Sequence, residues 1–236
     1  MNNSDTSAVT AIPMSRLRRT IAERLTLSAT TVPQFTVTVV ADVTQLLQLR
    51  AEAKERADGA YSITDFVLAA VARSLLEFPM LNAYTDGRAI WPRAEVNIGV
   101  AVDVDGGLLV PVIRQAERLS LRELSAEVRR LAEAARARTL SAADMTGGTF
   151  TVSNLGMFGV DEFCAIVNPG ESAILAVAAV VPTAVPLGNG FVARRLMKMT
   201  LTADHRLIDG ALAARFLGVL RGRLEDADAW RSEAES

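Results

Sequence analysis

The sequence holds one cysteine, Cys164, and one histidine, His205, among its 236 residues. A single cysteine excludes an internal disulfide, and a reducing compartment is the expectation. In the run Phe163-Cys164-Ala165-Ile166-Val167 it is expected to fill a small buried apolar position. One histidine and one cysteine cannot build a zinc site of ordinary ligand spacing, so no metal is expected. An excess of one charge is lacking too. The 25 basic and 27 acidic side chains leave a net charge of -2, with no electrostatic footprint for nucleic acid or an anionic membrane. The longest apolar run, Ser172 to Leu187, is interrupted by two prolines. It falls short of the roughly 20 residues a membrane span needs and reads as a buried strand followed by a turn. The start, Met1-Asn2-Asn3-Ser4-Asp5, lacks the basic end and apolar core of a signal peptide, so a cytoplasmic location is expected. A phosphate-cradling loop with its lysine, a dinucleotide fingerprint and a G-x-S-x-G elbow are lacking as well.

What is present is half hydrophobic, enough for one substantial core. Residues 1–11 read as a loose leader. Pro13 and Ser15 then precede a helical pattern carried by Leu17, Ile21 and Leu25. Gln34 to Val43 alternates and is β-branched, which predicts a strand. Helices are expected over Thr44 to Arg56 and Thr64 to Phe78, the second apolar on several faces and hence deeply buried. Asn97 to Val104 and Leu108 to Ile113 flank Asp105-Gly106-Gly107 and predict a hairpin, with Pro111 marking an edge or a bulge. Ser120 and Glu123 have capping-box spacing, and the helix they open runs to about Arg138. Strands are then expected at 149–153, 161–167, 172–181 and 191–202. A last helix follows Asp209-Gly210 and turns Leu212, Phe216, Leu217 and Leu220 inward. Residues 225–236 read as a polar tail. Helices and strands interleave without regular βαβ alternation, which favours a mixed-sheet α/β sandwich over a doubly wound sheet.

Two segments could carry chemistry. Asp204-His205-Arg206-Leu207-Ile208-Asp209-Gly210 lies between a strand and the final helix, and imidazole is the side chain best matched to general-base work near neutral pH. Asp204 and Asp209 could orient the ring, or pair with Arg206 instead. Ser153, in Thr151-Val152-Ser153-Asn154-Leu155-Gly156, stands where a strand meets a glycine turn; a hydroxyl there could donate to a developing oxyanion or simply end a strand.

Together these segments, with Pro13-Met14-Ser15-Arg16-Leu17-Arg18-Arg19-Thr20-Ile21-Ala22, Gly107-Leu108-Leu109-Val110-Pro111-Val112-Ile113, the run Gly147 to Gly159 and Ile166-Val167-Asn168-Pro169-Gly170-Glu171, make the chain resemble a known family. It is similar to the catalytic domain of the dihydrolipoamide acyltransferases of 2-oxo acid dehydrogenase complexes, over residues 12–224. The resemblance implies a chloramphenicol acetyltransferase-like, two-layer mixed-sheet fold. It implies that His205 is the general base, that Ser153 stabilises the tetrahedral oxyanion, and that Asp209 holds the site together with Arg18 as its partner. Asn154 is implied as a supporting residue. It further implies acetyl-CoA as co-substrate, no metal, and a homotrimer with active sites between subunits.

Three departures from the family pattern shape the expectation. No lipoyl or subunit-binding domain precedes the core in this sequence, so no lipoyl group is carried here and a stand-alone enzyme is expected. The acidic residues of 225–236 would be costly to desolvate in a cage contact, so the trimer is expected not to grow further. Gln34 stands where the family commonly has a second histidine. A stand-alone core resembles the small acyltransferases of tetronate-type natural-product pathways, which implies acetyl transfer to a small-molecule hydroxyl. The alternatives are transfer of acetyl between lipoamide and CoA, and a non-catalytic trimeric scaffold.

Overall fold

The computed structural model describes residues 11–55, 61–105 and 107–234. The expected leader therefore lies almost wholly outside the described residues, as does Gly106 of the expected turn. Helix α1 (Arg16–Thr31) starts where Ser15 Oγ accepts the Arg18 backbone N–H at 3.1 Å, satisfying a donor that the first helical turn leaves open. Strand β1 (Gln34–Asp42) leads into α2 (Thr44–Glu55) and α3 (Ile63–Glu77). Short strands follow: β2 (Ala83–Thr85), β3 (Ile90–Pro92), β4 (Ile98–Val100), β5 (Val102–Val104), β6 (Gly107–Leu109) and β7 (Val112–Ile113). Helix α4 (Leu121–Ala137), strands β8 (Phe150–Asn154), β9 (Ala173–Leu187) and β10 (Gly190–Asp204), and helices α5 (Gly210–Glu225) and α6 (Ala227–Ala234) complete the order.

Six strands form one sheet in the order β1-β10-β9-β8-β4-β7. β1, β10 and β9 run antiparallel, β9, β8 and β4 parallel, and β7 antiparallel again at the edge. The sheet is mixed, as the irregular interleaving of elements predicts. Phe150 and Val152 of β8 point into a core shared with α3 and α5, where Phe150 and Phe78 both meet the Phe216 ring, at 6.1 and 5.7 Å between centroids. Helix α3 is buried along most of its length, which accounts for its nearly continuous apolar composition. Its capping box is Ser62 with Asp65, and the buried Asp65 carboxylate also accepts from Ser125 Oγ on α4 at 2.9 Å.

Five expectations are corrected. The stretch from Asp161 to Val167 forms no strand and pairs with none, so its alternating pattern carries no ladder. Cys164 within it is accordingly exposed. Ser172 to Leu187 contains no turn: β9 runs straight through Pro182 and Pro186 to Leu187. β8 leaves β9 at the Asn154–Val177 pair, so both prolines sit where only β10 borders the strand and a missing N–H breaks no ladder. The long hairpin is cut at Ala101 and again at Val110-Pro111: β5 and β6 form their own ribbon, while β4 and β7 pair within the main sheet. Finally, the polar tail folds. Helix α6 buries Trp230, whose ring packs edge-on against Phe66 at 5.4 Å and whose Nε1–H donates to the Arg223 carbonyl at 2.7 Å.

Candidate active site

The turn that carries His205 is built by its neighbour. Asp204, buried at the end of β10, takes charge-assisted bonds on its carboxylate from three donors of Arg206. Arg206 supplies its backbone N–H at 3.0 Å and its Nε at 2.9 Å to Oδ1, and its Nη2 at 2.6 Å to Oδ2. The Asp204 carbonyl takes the N–H groups of Leu207 and Ile208. His205 is pinned between them by its own backbone N–H, which donates to the Pro33 carbonyl at 2.9 Å. Its ring is exposed and lies tilted 4.5 Å from the Phe35 centroid. Of the two arrangements open to Asp204, the structure adopts the pair with Arg206. Asp209 serves as the N-cap of α5, its Oδ1 accepting the Leu212 N–H at 2.7 Å. The expected pairing of Arg18 with Asp209 is not among the ion pairs formed between described residues; Arg18 is exposed on the first turn of α1, and the Asp209 carboxylate is engaged by the helix it caps.

Ser153 is half-buried near the end of β8. Asn154 follows it and is fully engaged: its Nδ2 donates to Thr64 Oγ1 at the start of α3 (2.9 Å) and its Oδ1 accepts the Gly156 N–H (2.7 Å). A Cβ at Gly156 would come within 2.7 Å of the Ala178 carbonyl, so glycine is what lets the turn after Ser153 lie against β9. Asn154 thus fixes the turn that follows Ser153.

The sheet does not bring Ser153 and His205 together. Ser153 pairs with Ala176, Ala176 with Thr200, and His205 stands five residues beyond Thr200. Two strand spacings and five residues of rise put the two residues roughly 19 Å apart in one chain.

A residue with no assigned role in the sequence reading stands out on the same strand face. Thr151, two residues before Ser153, donates from Oγ1 to Glu171 Oε1 at 2.9 Å and accepts from Asn168 Nδ2 at 2.8 Å. Glu171 Oε2 is buried with no hydrogen-bond partner. Burial pushes this carboxyl up to about 7, against the opposing pull of the Thr151 bond, the nearby Asn168 amide and the Arg93 and Arg24 charges. Glycine at position 99 keeps the relay open, since a Cβ there would meet Thr151 Oγ1 and Val110 Cγ1 at 2.8 Å. The signal was in the sequence: a lone carboxylate directly before a long apolar strand has little water to face. Gln34 is structural, its Nε2 donating to Ser28 Oγ (3.1 Å) and its Oε1 accepting the Val167 N–H (3.1 Å).

Residues 6–231 match the model of the family described as 2-oxoacid dehydrogenases acyltransferase (catalytic domain). The chain is 41% identical over 220 residues to the dihydrolipoyllysine-residue acetyltransferase component of the mitochondrial pyruvate dehydrogenase complex of Schizosaccharomyces pombe, covering 91% of this chain and 46% of that protein. It spans about half the length of the curated relatives it matches. Among solved structures it is similar to the cubic core of a pyruvate dehydrogenase multienzyme complex (TM-score 0.90, 38% identity, 97% of this chain and 96% of that one). It is also similar to Azotobacter vinelandii dihydrolipoamide acetyltransferase (TM-score 0.89, 39% identity, 94% and 93%). In that enzyme the roles in the catalytic mechanism of a serine, of a histidine 52 positions later and of an asparagine four positions past the histidine have been investigated. Ser153 and His205 stand at the same spacing, and Asp209 occupies the third position. Chloramphenicol acetyltransferase, at 16% identity, shares the fold (TM-score 0.51, 87% and 93%).

Proposed function

The chain belongs to the family of 2-oxoacid dehydrogenase acyltransferase catalytic domains, and on that premise we propose that it transfers acetyl between coenzyme A and the thiol of a dihydrolipoyl group. The observation that carries the reading is the Ser153–His205 pair, which repeats the serine–histidine spacing of the Azotobacter enzyme on a closely similar fold. His205 takes the proton of the attacking thiol, whose sulfur adds to the thioester carbonyl carbon. The electron pair displaced from the C=O bond collects on oxygen, where the Ser153 hydroxyl donates a hydrogen bond. Collapse of the tetrahedral species breaks the original C–S bond, and the departing sulfur recovers the proton from the imidazolium. No covalent enzyme intermediate is needed, in keeping with a turn that presents a base without a nucleophile beside it.

Because Ser153 and His205 lie far apart within one chain, a complete site takes the histidine of one copy and the serine of the next. A head-to-tail contact of this kind closes into a ring, and a homotrimer is the ring the family resemblance favours. Lipoamide as acceptor is better supported than the hydroxyl of a tetronate-type intermediate, since the curated relatives are named for dihydrolipoyllysine residues. A non-catalytic scaffold would have no use for an exposed imidazole on so firmly built a turn.

The test is acetyl-CoA consumption with free dihydrolipoamide and, separately, with a hydroxymethyl tetronate. Turnover of the thiol is expected. Turnover of the tetronate alone would reverse the acceptor, and no turnover of either would remove the enzymatic reading.

A further inference from the structure

A cavity of about 420 Å³ opens between α1 and the β5–β6 ribbon, within the size range of small-molecule sites. Leu17, Ile21 and Leu25 of α1 line it together with Leu109, Val110, Met145 and Thr146. Glu171 forms part of its lining, as do Asn168 and Gly148. One oxygen of that carboxyl is held by Thr151, while the other is buried without a partner. A buried polar atom left without a partner is costly and invites a ligand group that completes it.

The position of this atom relative to the chemistry is fixed by the strand. Thr151 and Ser153 are two residues apart on β8 and face the same side of the sheet, about 7 Å from one another. The Thr151–Glu171 pair therefore stands about 7 Å along the strand from Ser153, on the strand face that Ser153 also presents, and Glu171 in turn lines the cavity. We propose that Glu171 determines acceptor specificity, its free Oε2 accepting a hydrogen bond from an uncharged donor such as an amide N–H at the far end of a short aliphatic acyl acceptor. The inference rests on the acyl-transfer reading above and names the chemistry of the acceptor's remote end.

The charged groups around Glu171 come from two elements. Arg24 lies on α1 and lines the cavity. Arg93, just past β3, donates through Nη2 to the Gly170 carbonyl at 3.1 Å. Both bear on the carboxyl and neither hydrogen-bonds to it. With the group titrating near 7, the acceptor form of Oε2 is a minority at pH 6 and the majority at pH 8. If only the ionised form takes the donor, affinity rises about tenfold across that interval. A carboxylate-ended ligand would meet like charge and bind worse as pH rises.

The experiment measures calorimetric binding of dihydrolipoamide and of dihydrolipoate to the intact protein and to Glu171→Gln, at pH 6 and pH 8, with acetyl-CoA turnover followed in parallel. The glutamine keeps its acceptor toward Thr151 and cannot titrate. Wild type is expected to bind dihydrolipoamide about tenfold more tightly at pH 8 and to prefer it over dihydrolipoate there. In Glu171→Gln the pH response and the preference should both be lost. An unchanged pH response or preference in the variant, or no measurable binding of dihydrolipoamide to the wild type, overturns the proposal. Turnover failing while pH-dependent binding persists would remove the reaction and leave the binding assignment standing. Normal turnover with unaltered discrimination in the variant would do the reverse.

Discussion

Ser153 on β8 and His205 in the turn just past β10 stand two strands and five residues apart, with Ala176 and Thr200 as the rungs between them. Neither can reach the other's substrate atoms within a chain. This makes a sharp prediction for mixed assemblies. His205→Ala and Ser153→Ala should each be nearly inactive alone. Co-expressed in equal amounts, they should recover about a quarter of wild-type turnover, because one site in four takes its histidine from the serine variant and its serine from the histidine variant in a head-to-tail ring. Activity in separately purified and co-expressed proteins is the measurement, and no recovery would place the whole site within one chain. A ring of three copies should sediment at three times 25.3 kDa.

His205→Ala alone should lower turnover by about 10²–10⁴-fold, the range for removing a general base. The ring is exposed and the turn is held by the His205 backbone and by Asp204 with Arg206. The variant's melting temperature should therefore stay close to wild type, which thermal denaturation checks.

Ser153→Ala should reduce kcat by about 10²–10³-fold and change KM for acetyl-CoA little, since an oxyanion donor acts on charge that appears only in the transition state. Steady-state kinetics separates the two constants. A rise in KM with kcat preserved would make Ser153 a ground-state binding residue.

Much of this was legible in the sequence because local signals and tertiary packing agree. Ser15, Ser120 with Glu123, and Asp209 cap the helices their spacing announces. Phe216, Leu217 and Leu220 are buried as their period requires. The alternation of Asp161 to Val167 mimics a strand, but a ladder needs a neighbouring edge, and periodicity says nothing about whether one is there. Pro182 and Pro186 read as breakers because the sequence does not reveal that β8 ends before them. Trp230 was hidden among carboxylates that face outward from α6, leaving its partner Phe66 undetectable across the chain. His205 and Ser153 could be named from their motifs, whereas their separation follows only from strand order. Glu171 was quoted within a motif and given no task, because its burial depends on Thr151 and Asn168 closing over it.

The Arg206–Asp204 pair should be structural in origin and catalytic in effect. Arg206→Ala leaves the buried Asp204 carboxylate with one backbone donor from the turn. Loss of about 2–3 kcal/mol of stability is expected, in the range for stranding a buried charge. Turnover should fall further than stability, because the turn that presents His205 loses its brace. Arg206→Lys should restore little, since an ammonium cannot reproduce the forked contact made by Nε and Nη2. Chemical denaturation gives the first quantity and acetyl-CoA turnover the second.

Stability should also report on Glu171 without any ligand. Its carboxyl titrates at about 7 in the folded chain against an ordinary 4.5, so over that interval the folded state holds a proton that the unfolded state has released. Stability therefore falls as pH rises from about 4.5 to about 7 and levels off above, the total loss being on the order of 3 kcal/mol. Glu171→Gln removes this term. The variant and the wild type should show their smallest difference below pH 4.5 and diverge as pH rises, with the variant the more stable at pH 8. Melting curves collected at several pH values check this. A difference that is constant from pH 4.5 to pH 8 would mean that Glu171 is ionised throughout and that its second oxygen finds a partner in the assembled protein.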